Sequence, residues 1–139
     1  MSDKKIISAF DQFESDVSLE QDGVWVQVGT MGFKVARAGG DNDEFVKAVS
    51  KRFKPYQAAL SADTFPKEMA HDLVVGVFVD TVIKDWKDVY GRDKQPIAFS
   101  KEAAKQLFIE LPNLFMAVQA EAQKLSNFRR ENLEAAAGN

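Results

Sequence analysis

The chain has 139 residues, 45% of them hydrophobic and 28% charged, with a net charge of −3, which fits one folded domain that buries about two-thirds of its unfolded surface without disulfides or metal. Cysteine is absent and histidine occurs once, at His71, so thiolate zinc sites, iron–sulfur clusters, cysteine nucleophiles and paired-imidazole sites are all excluded. The acidic balance argues against nucleic acid as the main partner, since phosphate recognition needs a field of Lys and Arg.

The first twenty residues read as an arm or a short helix, with Ile6, Ile7, Phe10 and Phe13 at 3–4 spacing. No apolar core of a signal peptide follows the mixed charges of Asp3, Lys4 and Lys5. Residues 23–38 read as a β-hairpin. The run Val24-Trp25-Val26-Gln27-Val28 and the run Phe33-Lys34-Val35-Ala36-Arg37 flank the turn Gly29-Thr30-Met31-Gly32. Val24, Val26 and Val28 share one face and Trp25 takes the other. Two strands are marginal alone in water, so the hairpin must lie on something.

From Asp41 onward the period becomes helical, and residues 41–130 form the helical body. Asp41, Asn42 and Asp43 supply cap oxygens for a helix carrying Phe45, Val46, Val49 and Phe53, which Pro55 ends. Ala58, Ala59 and Leu60 suit a further turn. The longest predicted helix runs from Pro66 to Tyr90, on the ladder Val74, Phe78, Val82 and Trp86, with Gly91 as its stop. A buried strand over 73–83 is the competing reading. Ser100 caps a helix over 101–110, Pro112 breaks or restarts the chain, and the last helix extends to the low 130s. Residues 131–139 should fray. The predicted fold class is therefore mainly α: a small helical domain, residues 1–139, with an N-terminal β-hairpin.

No chemistry-bearing constellation emerges. His71 lacks companions at ligand spacing. Asp85 and Asp88 would share a face of the predicted long helix, but Lys84 and Lys87 interleave with them as on a solvated surface. Asp80 interrupts the apolar stretch and suggests an ion-pair partner. Asp41-Asn42-Asp43-Glu44 begins like a calcium loop, yet Val46 and Arg52 stand where that loop needs Gly and Glu. The residues point away from an enzyme, and no cofactor or metal is expected. No segment approaches the 20 or so apolar residues of a membrane span. Eleven Phe residues make either a Phe-rich core or a surface with exposed apolar patches.

The ordered features resemble the tail assembly chaperones of long-tailed bacteriophages. The resemblance covers roughly residues 20–139. It rests on Gly23-Val24-Trp25-Val26, on Phe33 to Gly40 with Asn42, and on Lys54-Pro55-Tyr56. It continues through Asp85-Trp86-Lys87-Asp88-Val89, Phe99-Ser100-Lys101-Glu102-Ala103, Leu111-Pro112-Asn113-Leu114 and Asn127-Phe128. The family implies a non-enzymatic chaperone that binds the tape-measure protein while the tail tube assembles around it. It further implies the host cytoplasm as the place of action, absence from the mature virion, and a frameshifted long form as a partner. The tail-tube protein and a second copy of the chain are further candidate partners. A groove between the last two helices, with Phe108, Phe115 and Phe128 as anchors, is the predicted contact surface. A structural tail protein, such as a tail-completion or tube-end subunit, and a helical adaptor are the alternative readings.

Overall fold

The computed structural model describes residues 6–129; the expected frayed tail lies outside these. A short helix α1 (Ala9–Phe13) and a second, α2 (Val17–Asp22), precede the hairpin strands β1 (Val24–Val28) and β2 (Met31–Val35). Helix α3 (Asp43–Phe53) runs through a 3-10 turn into α4 (Gln57–Ser61), and the central helix α5 (Lys67–Thr81) follows. Strand β3 (Ile83–Lys87), helix α6 (Lys101–Glu110), helix α7 (Pro112–Gln123) and a 3-10 turn (Leu125–Phe128) complete the described chain.

The three strands form one antiparallel sheet in the order β1-β2-β3. The hairpin thus becomes a three-stranded sheet, with β2 at its centre. Gly29 takes the positive φ of the tight turn, and Val28 pairs with Met31 across it. Val24, Val26, Phe33, Val35, Ile83 and Trp86 all face the core. Trp25 and Lys87 lie on the outer face, where the Lys87 ammonium sits 4.5 Å from the Trp25 ring centroid.

The long helix expected over 66–90 is corrected here. It ends at Thr81, whose hydroxyl donates back to the Val77 carbonyl at 2.7 Å, and the chain then enters β3. The physical reason is a bulge. Phe33 pairs with Trp86 and Lys34 with Asp85, but Val35 pairs with Ile83. The extra residue, Lys84, lets Ile83 and Trp86, three apart, bury the same side. That spacing imitates a helix. Asp85 and Asp88 accordingly share no helical face: Asp85 is in β3, and Asp88 follows it at φ 57°.

Helices α5, α6 and α7 cover one face of the sheet, with α3 against α5. Their side chains interlock through a run of aromatic rings. Phe99 meets Trp86 at 5.3 Å between centroids, Trp86 meets Phe33 at 6.2 Å, and Phe33 meets Phe108 at 6.0 Å. Phe108 then meets Phe115 at 5.5 Å, Phe115 meets Phe78 at 5.2 Å, and Phe78 meets Phe45 at 5.5 Å. Seven rings thus cross the domain from the sheet to α3, mostly in the edge-on or tilted geometries that aromatic pairs favour.

The segment after β2 stitches the layers together. Ala36, Arg37 and Ala38 donate their amides to the carbonyls of Val82, Glu20 and Ala122 respectively, at 2.8–2.9 Å. Beneath them Glu20 is fully buried; its carboxylate accepts from Arg37 and, at 2.6 Å, from the Asp41 amide. Burial opposes the charge of Glu20. Hydrogen bonds from Ser15, Arg37 and the Asp41 amide, with the Arg37 charge, outweigh it and hold the carboxyl below its usual range. Asn42 is buried as well. It caps α3 and donates to the carbonyls of Arg37 and Thr81 at 2.9 and 3.1 Å.

Helix α7 also ends earlier than expected. Lys124 turns extended, and the Asn127 amide donates at 2.8 Å to both the Glu121 carbonyl and its carboxylate. This satisfies the end of the helix and folds Phe128 into the core.

Candidate partner-binding site

Phe108, Phe115 and Phe128, expected as exposed anchors, lie in the core at 0%, 3% and 0% exposure. Phe108 and Phe115 belong to the run of rings, and Phe128 closes the core from the 3-10 turn. The groove they were expected to line is not formed by them. The helical stripe that carries Phe108 and Phe115 is the face α6 and α7 turn toward the core, and a stripe alone cannot distinguish a core face from a binding face.

An open groove lies instead at the corner between α6 and α7. Its volume is about 800 Å³, and Tyr90, Ile97, Leu107 and Leu111 line it together with Arg92, Asp93 and Glu110. Tyr90 and Leu111 are half exposed, at 55% and 46%.

Each wall has a local cause. Leu111 ends α6 by donating its amide to the Leu107 carbonyl at 2.8 Å, and it precedes Pro112, the first residue of α7. A residue before proline is pushed out of helical geometry, and Leu111 takes φ −122° and ψ 76°. The chain kinks there and its side chain is presented at the corner.

The opposite wall is the loop after β3. Tyr90 bridges to Pro96, the Ile97 amide donates to the Val89 carbonyl at 2.8 Å, and the Gly91 amide donates to Gln95 at 2.9 Å. Lys94 turns the loop at φ 64° and donates to the Gly91 carbonyl. The Trp86 indole fastens the base by donating to the Ile97 carbonyl at 2.7 Å. The groove is therefore built from backbone that is already hydrogen-bonded, with apolar side chains along it and charges of both signs at its edges. Such a surface suits an apolar helical or extended peptide segment.

The other sequence candidates are held by structural contacts. His71 faces the Phe108 carbonyl through Nε2 at 3.1 Å and the Phe115 ring edge-on. Asp80 pairs with Arg52 at 2.7 Å and lies 4.0 Å from Lys101. Among the described residues no group of three acidic, histidine or cysteine side chains could hold a metal, and no helix is long and apolar enough to cross a membrane.

Tyr90 escaped sequence reasoning because the predicted long helix includes it, and Ile97 because it falls between that helix and the one predicted over 101–110. Leu107 lies within the helix predicted over 101–110, and Leu111 just before the break expected at Pro112. The signals that could have found the groove are the Leu111-Pro112 step and the Pro96 that folds the loop back.

Residues 40–139, more than two-thirds of the chain, match the family described as YdaY prophage protein. The match takes in α3 to α7, β3 and every residue of the groove, and leaves β1 and β2 outside it. No curated protein and no solved structure matches the chain.

Proposed function

We propose that this chain, which belongs to the YdaY prophage protein family, is a tail assembly chaperone that holds an apolar segment of the tape-measure protein in the groove walled by Tyr90, Ile97, Leu107 and Leu111. The observation that carries the reading is that groove: a preformed apolar surface, open to a polypeptide, on a prophage protein. The resemblance of the ordered sequence features to those of tail assembly chaperones suggests the partner. A tape-measure chain presents long apolar helical stripes, which aggregate unless covered. An amphipathic helix laid into the groove would cover such a stripe, and the charges of Arg92, Asp93 and Glu110 at the edges would fix its register.

Co-expression with the longest protein encoded next to this gene in the prophage tests the reading. The expected outcome is that the long protein becomes soluble and co-purifies with this chain, while purified virions lack the chain. A long protein that stays insoluble and unbound, or a chain retained in virions, would favour a structural tail subunit instead.

A further inference from the structure

The two edges of the sheet are built differently. The β3 edge is blunted. The bulge at Lys84 breaks its line, Lys84, Asp85 and Lys87 put charges along it, and the Asp85 carboxylate accepts the Trp86 amide at 2.8 Å. Sheets use such devices to keep an edge strand from pairing with another chain. The β1 edge has none of them. Val24-Trp25-Val26-Gln27-Val28 carries no charge, no proline and no bulge, and all five residues pair in register with β2.

Hairpin geometry decides which backbone groups of β1 face outward. Val28 pairs with Met31 across the two-residue turn Gly29-Thr30, so Val24, Val26 and Val28 exchange their bonds with β2. Trp25 and Gln27 turn their amides and carbonyls to the open side, and both residues are exposed. Among the described residues no donor or acceptor meets these groups. The Gln27 side chain donates instead to the Gly29 carbonyl, at 3.2 Å.

The strand is also complementary to itself. Laid antiparallel on a second copy about a two-fold axis at Val26, Trp25 falls opposite Gln27 of the second copy, and Gln27 opposite its Trp25. These are the positions whose backbone groups face outward, so each opposed pair exchanges two N–H to carbonyl bonds. With no charge on the strand, no like charges are brought face to face. An occupant of this edge must be an extended, uncharged strand of matching register, and the chain itself supplies one.

We infer that β1 is a dimerisation edge: two copies join β1 to β1, antiparallel about Val26, and their two three-stranded sheets become one sheet. The contact is isologous and closes at two copies, because it uses the β1 edge of each and leaves only the blunted β3 edges outside. The groove at the α6–α7 corner takes no part in it. The inference therefore goes beyond the chaperone reading and does not rest on it.

The test is sedimentation equilibrium of the full chain at concentrations up to about 1 mM, since strand pairing alone buries less than a standard interface. The weight-average mass is expected to rise from 15.5 kDa toward twice that value and to stop there. Over the same range, hydrogen exchange at the Trp25 and Gln27 amides is expected to slow by about threefold or more as free edges are taken up. Gln27→Pro removes an outward amide and is expected to stay monomeric. Trp25→Glu with Gln27→Glu sets like charges opposite one another across the axis, as does Trp25→Lys with Gln27→Lys. Each of these double variants is expected to stay monomeric, with circular dichroism like the parent, and the two mixed in equal amounts are expected to form a heterodimer. A parent chain that is monomeric throughout, a dimer whose Trp25 and Gln27 amides exchange as in the monomer, or charge variants that dimerise alone or fail to pair when mixed would each overturn the inference. Because the long phage protein is absent from this experiment, its outcome is independent of the co-expression result.

Discussion

Trp86 donates its indole N–H to the Ile97 carbonyl at 2.7 Å, and this bond couples the sheet to the loop that walls the groove. The Trp86 ring is simultaneously packed against Phe33 and Phe99, so the loop's position is set by the core. Trp86→Phe keeps much of the packing but leaves the Ile97 carbonyl without its donor. The expected cost is about 1–3 kcal/mol, together with faster hydrogen exchange at the Gly91 and Ile97 amides. Exchange unchanged from the parent would show that the loop holds its shape without the indole.

Core and groove residues should separate cleanly under mutation. Phe108→Ala, Phe115→Ala and Phe128→Ala remove buried rings and should each cost about 3–5 kcal/mol, read as a fall in the denaturant midpoint. Tyr90→Ser and Leu111→Ser act at half-exposed positions and should change stability by about 0.5 kcal/mol while weakening binding. Stable, binding-defective Phe variants would reverse this assignment.

Much of the fold was legible in residue types with one local meaning. Gly29 marks the hairpin turn, Asn42 and Ser100 cap their helices, and Pro112 restarts α7. Residues 83–87 were not legible, because the bulge at Lys84 gives a strand the spacing of a helix. The candidate site was misread for a different reason. The apolar stripe of α6 and α7 is real, and its aromatic residues went to the core. The surface was left to Tyr90 and Leu111, whose exposure depends on a loop and a kink that only the tertiary fold defines.

Acid should unfold the protein partly through Glu20. Its folded-state carboxyl titrates below the usual carboxylate range, so its contribution is present above the unfolded value and is lost as pH falls through the folded one. Glu121, lowered against the opposing effect of burial by Lys124 and Asn127, contributes in the same direction. Glu20→Gln should be less stable at pH 7, by about 3 kcal/mol for a broken buried pair, and should lose less stability on acidification. Urea unfolding of both proteins at pH 7 and in the acid range checks this; parallel curves would contradict it.

Gly40 should tolerate a side chain poorly. It sits at φ 52°, and a β-carbon there would lie 2.8 Å from a Glu20 carboxylate oxygen and 2.9 Å from Arg37. Gly40→Ala is expected to cost about 1–3 kcal/mol from backbone strain, more once Glu20 is displaced. Gly39→Ala also has a positive φ but open space around it, so thermal melts should place it between Gly40→Ala and the parent.

The groove is expected to bind the long apolar protein of the same prophage. The most direct measurement is the yield of that protein co-purified with the parent chain and with Tyr90→Ser/Leu111→Ser, after matched co-expression. Full recovery with the parent and at least a tenfold loss with the variant, about 1.4 kcal/mol in affinity or more, is the expected result. Equal recovery with both, from equally folded proteins, would contradict the assignment of the groove.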